Sequence, residues 1–265
     1  MNGIVSALRL LCLFLCLFSV SSGARAGGTV RLTNGEWPPY LSEQFKHFGL
    51  ASRIVTEAFA LEGVKVEYGF FPWARSLKLA EDGEWAGSVV WRASEERAEK
   101  FYISDEVVPD KVVFFYLKRN PFDWKTVASL KGARIGATLS YQYGPAFDAA
   151  DAARQIDVER APNDETNMRK LLGERFQVFP INVEVGYHML RLHFKEEQVA
   201  LFTHHPRPVT EEPLRLLLSK KVAGNEQLMN VFNRGLKRLR ESGKIDQYTA
   251  ESRSGLYMVS GGTAP

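Results

Sequence analysis

Between residues 30 and 91 the hydrophobic period switches back and forth, and that alternation limits what the chain can become. Val30–Thr33 reads as a strand. Leu50–Glu62 puts Leu50, Ile54, Ala58 and Leu61 on one helical face and stops at Gly63. Val64–Phe70 alternates, with Val64, Val66, Tyr68 and Phe70 on one side. Trp73–Glu81 reads as a helix opened by Pro72 and closed near Gly83, and Gly87–Trp91 is again apolar. Strand, helix, strand, helix, strand is the pattern of a parallel sheet covered by helices.

A second block repeats the alternation. Lys111–Leu117 is a long apolar strand followed by Asn120-Pro121. Ala133–Ala137, Ile156–Glu159, Phe176–Val183 and Val199–His204 read as strands. Tyr143–Ala152, Asp164–Leu172 and Glu184–Leu192 read as helices, the middle one capped by Asn163 and stopped at Gly173. Pro206–Pro213 carries three prolines and is expected to form a loop. Leu214–Ser219 returns as a strand. Asn225 is expected to cap a long amphipathic helix with Leu228, Val231, Phe232, Leu236 and Leu239 apolar, and the small, polar Ser260–Pro265 reads as a disordered tail. That helix needs a surface to cover, and the first block lacks covering helices. The expected organisation is therefore two α/β lobes with two crossings between them. The first lobe is discontinuous, 27–111 with 214–265, and the second is 112–213. Such an arrangement leaves a cleft at strand ends and helix N-termini where small polar ligands bind.

Residues 1–26 stand apart. Arg9 precedes the apolar run Leu10–Val20, and Ala24-Arg25-Ala26 closes it as an A-x-A signal, so cleavage is expected after Ala26 and the protein in the periplasm. The run is shorter than the ~20 apolar residues that span a bilayer. Cys12 and Cys16 leave with this segment, so the mature chain holds no thiol and relies on a core. About 240 residues remain, and the net charge drops from +3 to about +1 without a long run of like charge. Nothing in this composition points to nucleic acid as a partner.

The first strand runs into "RLTNGEWPPYLSE", in which Pro38-Pro39 holds Trp37 and Tyr40 on an extended loop. Rings so placed either plug into the core or meet something that docks there; the residues alone leave both readings open.

In order along the mature chain, "VRLTNGEWPPYLSE", "GLASRIVTEAFALEGVKVEYGFFPWARSLKLAEDGEWAGSV", "ASEERAEKFYISDEVV", "LKGARIGATLSYQYG" and "ESGKIDQYTAE" resemble segments of the extracellular solute-binding proteins of the polar amino-acid type, the periplasmic partners of ABC importers. The third looks like the family's Thr-x-x-Arg…Phe-Ser-x-Pro-Tyr text, and the fourth like the Leu-x-Gly-x-x-Ile-Gly strand that opens its second lobe. The resemblance implies a two-lobed α/β fold of the periplasmic-binding-protein type II, each lobe a mixed sheet flanked by helices, closing on a double-strand hinge. It also implies a monomer that binds a small molecule, uses no cofactor and docks on importer membrane subunits.

The resemblance also places candidate ligand residues. Trp37 falls where relatives pack an aromatic over the ligand, with Tyr40 beside it. Arg97 falls on the Arg that clamps a ligand carboxylate, a role suited to a permanently charged, two-pronged guanidinium; without the resemblance it reads first as an exposed helical Arg pairing with Glu96 or Glu99. Ser140, Tyr141 and Gln142 occupy the loop where relatives offer backbone N–H groups and hydroxyls. Trp73 and Arg75 lie near a contact position, and Trp91-Arg92 replaces small hydroxyl residues; both indoles read alternatively as core rings at strand ends. Asn182 stands where amino-acid binders carry an Asp for the ligand's ammonium, with Gln177 and Asn34 replacing two further acids and Glu184 two residues on. Fewer carboxylates and the added Arg75 and Arg92 make the pocket more positive. An ammonium without a counter-charge is costly to bury, so the expected ligand is a small polar or anionic metabolite carrying a carboxylate.

Other chemistries find less support. His204-His205 are adjacent on a strand, face opposite ways and have no third ligand nearby in sequence, so no metal is expected. No Gly-rich phosphate loop or Gly-x-Ser-x-Gly is present. An enzyme reading, as in the few dehydratases of this fold that act on prephenate-like acids, needs a cleft carboxylate as general base, and Glu184 is its only candidate. An orphan sensory binding module is the remaining alternative; no catalytic residue is assigned.

Overall fold

Each strand-period segment of the N-terminal third forms a strand in the computed structural model, which describes residues 28–139 and 141–258. The apolar leader, Ser140 and the C-terminal tail lie outside the described residues. β1 (Thr29–Asn34) is flanked by β2 (Lys65–Phe70) and β3 (Gly87–Arg92), both parallel to it. α1 (Leu50–Ala60) and α2 (Trp73–Glu81) supply the crossovers. After α3 (Glu95–Lys100) comes β4 (Phe101–Leu117), 17 residues long. β5 (Arg134–Thr138), α4 (Pro145–Ala152), β6 (Asp157–Ala161), α5 (Asp164–Leu172), β7 (Phe179–Asn182), α6 (Val183–His193) and the short α7 (Glu196–Val199) follow. β8 (Phe202–Ser219) runs 18 residues, and α8 (Asn225–Glu241) and α9 (Lys244–Arg253) close the described chain. No helix among the described residues is long and apolar enough to cross a membrane.

The main sheet has six strands in the order β2-β1-β3-β8-β4-β7, and β5 and β6 form a second, parallel pair. β4 and β8 lie antiparallel along nearly their whole length and span both ends of the molecule. At one end the core is built on Leu32, Ile54, Phe59, Leu216, Phe232 and Leu236. At the other, one cluster gathers around Phe115, Phe179 and Leu190 and another around Phe114, Ile135 and Phe147.

Residues Pro206–Pro213 are strand, not the expected loop. The rungs of β8 with β3 reach only as far as Leu214, so from Phe202 to Pro213 no named strand pairs its second edge. Proline removes a donor that only a paired edge would need, which lets Pro208 and Pro213 stand opposite Val113 and Pro109 of β4. Val199 belongs to α7 rather than to the following strand.

The long helix covers the first block as its pattern requires. Met229, Phe232, Leu236 and Leu239 of α8 pack on α1, and the Phe59 and Phe232 ring centroids lie 4.8 Å apart. Its cap differs from expectation. Gly224, at φ 84°, holds the N-cap position, whereas the Asn225 side chain donates to the carbonyls of Ala86 and Ser219, both at 2.8 Å, and ties the helix start to the sheet. Helix α8 approaches α1 closely at Gly235, where a Cβ would sit 2.0 Å from the Ala58 carbonyl oxygen. Gly235→Ala gains helix propensity but forces the two helices apart, and a net loss of about 1–2 kcal/mol in urea unfolding is expected. An unchanged midpoint would show that the pair parts freely.

Candidate functional site

The C-terminal ends of the parallel strands β1 and β3 meet the start of α2 and the bend into α3, and the sequence places its indoles and cations there. The segment Asn34-Gly35 makes room first. A Cβ at Gly35 would lie 2.4 Å from the Trp73 ring, so only glycine lets the chain pass under that indole. Trp73 meets Trp91 edge to face, with centroids 5.2 Å apart. Strand β3 changes register between Ser88 and Trp91, and Val90 adopts φ 57°. A β-branched residue in the left-handed region is strained, and a bulge there re-aims the residues that follow it. The Trp91 Nε1–H then reaches back to donate to the Ser88 hydroxyl at 2.8 Å.

Arg97 is set by the cap of α3. Ser94 accepts from the Arg97 backbone N–H at 3.2 Å, which starts the helix and fixes the position of the side chain. The Arg97 guanidinium lies 4.9 Å from the centre of the Trp91 ring and donates to the Arg92 carbonyl at 2.7 Å. It pairs with neither Glu96 nor Glu99. Arg92 donates to Asp110 Oδ2 at 2.5 Å; the Arg92 side chain is 57% exposed and that of Asp110 only 9%. Trp37, Trp73, Trp91, Arg92, Arg97 and Asp110, with Val90 and Leu214 as floor, line a hollow of about 240 Å³. Rings, two cations and one carboxylate thus line an open hollow with the volume of a small metabolite.

Sequence reasoning had no signal for Asp110. Its Oδ1 accepts from Asn182 Nδ2 at 2.9 Å. Asn182 in turn caps α6, its Oδ1 accepting from the backbone N–H groups of Glu184 and Val185 at 3.0 and 3.1 Å. The structure therefore places Asn182 behind the hollow, as a helix cap and a support for Asp110, rather than in its wall. Tyr40 is buried at 1% exposure; its hydroxyl donates to the Pro109 carbonyl at 3.1 Å and lies 3.3 Å from the Asn182 side chain. Burial, then the nearby Glu184 carboxylate, push that hydroxyl's pKa well above its ordinary value. Trp37 stacks on Tyr40 at 4.7 Å between centroids and remains half-buried at the hollow. Of the two rings of the opening loop, Tyr40 plugs into the core and Trp37 faces the hollow.

Glu184 is buried and doubly bound by Arg253 of α9, at 2.6 and 2.8 Å. Arg75 is exposed on α2, its guanidinium 5.3 Å from the Phe71 ring, and is not part of the hollow. Asn34 lies in the core, donating to the Ser52 hydroxyl at 3.0 Å.

The loop after β5 presents Tyr141 and Gln142 to solvent, apart from the indoles; Ser140 lies outside the described residues. Asp164, which starts α5, accepts a hydrogen bond from the Thr138 hydroxyl. Burial raises its pKa above the usual carboxylate value, and its charge in turn pushes the Tyr141 hydroxyl up. This second set of polar groups sits at the C-terminal ends of β5 and β6, the position at which α/β sheets bind ligands. Larger hollows open elsewhere. One of about 590 Å³ around Gly132 and Asp157 has no aromatic ring, and in one of about 600 Å³ between α6 and α9 the Arg253 guanidinium is already committed to Glu184. No group of acidic, histidine or cysteine side chains among the described residues could hold a metal.

Comparison with known proteins follows the same outline. The family model of the bacterial extracellular solute-binding proteins, family 3, matches residues 30–251. The second substrate-binding domain of a putative amino acid ABC transporter from Streptococcus pneumoniae superposes with a TM-score of 0.68 at 12% identity, covering 87% of this chain and 100% of that one. The second substrate-binding domain of Lactococcus lactis GlnP, in an open conformation, gives 0.69 at 17% identity over 84% of this chain and 94% of that one. An ancestral cationic amino acid solute binding protein gives 0.63 at 18% identity, over 84% and 95%. No curated protein matches the chain.

Proposed function

Because this chain belongs to the bacterial extracellular solute-binding proteins of family 3, we propose that it captures a small carboxylate-bearing polar metabolite in the hollow beside Arg97 and delivers it to an ABC importer. Export through the leader, with cleavage after Ala26, would put it in the periplasm. The observation that carries this reading is the grouping of Trp37, Trp73, Trp91, Arg92 and Arg97 around one metabolite-sized space. Arg97 takes the carboxylate with both prongs, and the indoles exclude water from the pair. The lobes are 27–111 with 214–265, and 112–213, with β4 and β8 as the connection. Closing them would bring Tyr141 and Gln142 over the bound solute. The closed form is then the one the importer recognises.

The dehydratase reading requires a carboxylate free to take a proton. Glu184, its candidate, is held two-pronged by Arg253, which favours binding over catalysis.

A thermal-shift screen of residues 27–265, refolded to strip any carried solute, tests the proposal. The panel holds amino acids, keto and hydroxy acids, polyamines and short peptides. A carboxylate present at 100 times its Kd should add about 2.7 kcal/mol of stability. Melting points raised only by polyamines would overturn the carboxylate assignment.

A further inference from the structure

We propose that the contact between α6 and α9 is a latch that holds the two lobes open, so that breaking it, far from the hollow, tightens solute binding. The inference rests on the solute-binding reading above and on its division into lobes.

Both helices are rooted, each in a different lobe. Tyr248 of α9 and Tyr257 just beyond it are buried in the core built on Leu32 and Phe59. The Arg53 guanidinium of α1 lies 3.7 Å from the Tyr248 ring centre and donates to the Tyr257 hydroxyl at 2.6 Å. Helix α9 is thus part of the first lobe. In α6, Leu190 is buried in the cluster around Phe115 and Phe179, and a Cβ at Gly186 would lie 2.7 Å from the Phe115 ring. That helix is part of the second lobe.

The first lobe meets one face of α6, on which Glu184, Val185, His188 and Arg191 follow one another at helical spacing. Arg253 binds Glu184 at 2.6 and 2.8 Å, and Arg191 Nε donates to the Arg253 carbonyl. The His188 ring meets Phe45 edge to face, with centroids 5.5 Å apart. Val185 packs on the cores of both lobes. This face lies away from the hollow. Its helix starts at Asn182, behind Asp110, and none of its residues lines the hollow. Glu184 and Arg191 are about 10 Å apart along the axis at 1.5 Å per residue, so the contact extends well behind the connecting strands.

Lobes that swing together on β4 and β8, with the hollow between them in front, move apart behind. Two helices rooted in opposite lobes cannot follow one another through that motion. Their contact therefore belongs to the open form, in which Tyr141 is 52% exposed, and is lost in the closed one. It is suited to parting. The pair is polar, and a space of about 600 Å³ between the helices admits water to the groups that separate. The solute must supply the free energy of breaking it. Apparent affinity falls with the fraction of molecules free to close, so the strength of the Glu184–Arg253 pair sets the solute concentration at which the protein fills. Glu184 acts on binding without touching the solute.

The mature chain has no cysteine, since Cys12 and Cys16 lie in the leader, and nitroxide pairs can therefore be placed at exposed sites. Lys195→Cys with Lys244→Cys spans the contact, and Glu67→Cys with Lys244→Cys stays within the first lobe. Pulsed electron resonance without solute compares the otherwise wild-type protein with Glu184→Gln/Arg253→Met, which removes the pair without stranding a charge, and with His188→Ala. Both variants should gain a population with a longer spanning distance, while the distance within the lobe stays the same. Calorimetry with the amino, keto and hydroxy acids of the panel should show those that bind doing so at least about fivefold more tightly in the double variant. An unchanged spanning distance, or an affinity that stays equal or falls, would overturn the latch and leave the solute-binding reading intact. A changed distance within the first lobe would mean that α9 leaves its own lobe, and would overturn the latch as well. A longer spanning distance in a protein that binds nothing on the panel would sustain the latch and overturn the solute reading instead.

Discussion

Replacing Arg97 by alanine is expected to cost the protein its solute and little else. Among the described residues the guanidinium makes one hydrogen bond, to the Arg92 carbonyl, and lies over the Trp91 ring. The bond that starts α3 uses the Arg97 backbone N–H and survives the substitution. Loss of a partly exposed cation–π contact is worth about 1 kcal/mol or less. Truncating one partner of a closed, hydrogen-bonded charge pair costs far more, about 3 kcal/mol, or on the order of 100-fold in affinity. Calorimetry with any carboxylate found in the screen, beside the melting curve of the empty variant, separates the two quantities. Unchanged affinity would move the carboxylate anchor elsewhere, and a collapse of the empty variant would make Arg97 a structural residue.

The largest effect on stability should come from Arg253→Met. Glu184 is almost wholly buried and accepts two hydrogen bonds from Arg253, and no other side chain among the described residues pairs with it. Methionine keeps an apolar stem, removes the guanidinium that lies 5.6 Å from the Tyr187 ring centre and leaves the carboxylate uncompensated. Breaking a buried pair in this way costs roughly 3–5 kcal/mol. Because the Arg253 side chain is 39% exposed, water screens part of the loss, and about 3 kcal/mol is expected. Chemical denaturation measures it. The double variant Glu184→Gln with Arg253→Met should recover much of the loss, since it removes the stranded charge. A single variant within about 1 kcal/mol of wild type would show that solvent, rather than Arg253, supports Glu184.

How far the sequence reveals this molecule depends on the range of the interaction. Periodicity places α1, α2, α5 and the parallel β1 and β2 almost to the residue, because one buried face per element dictates it, and β3, buried on both faces from Gly87 to Val90, shows as an apolar run. The Asn163 cap, with its acceptor 2.8 Å from the Thr166 N–H, was equally legible. The continuity of β4 and β8 was hidden, since register shifts and prolines interrupt the alternation that marks a strand. At the site, Trp37, Trp73, Trp91, Arg92 and Arg97 could be named from the resemblance and do come together. Asp110 could not, because its partners lie 18 and 72 residues away. Asn182 carries a local signal that the family register obscures: an Asn just before a helix with a Glu in its first turn is the text of a cap. The Glu184–Arg253 pair spans 69 residues and left no local trace.

The prolines of β8 have a consequence for how this protein behaves among many copies of itself. An unpaired strand edge is a template on which another chain can lay its backbone, the first step toward sheet-to-sheet aggregation. Along Phe202–Pro213 that edge offers no N–H at Pro206, Pro208 or Pro213, and Arg207, Glu211 and Glu212 are exposed beside it. An incoming strand would meet gaps in the ladder and charges it must desolvate. The segment that joins the two ends of the molecule can therefore leave that edge unpaired in a crowded compartment without becoming adhesive.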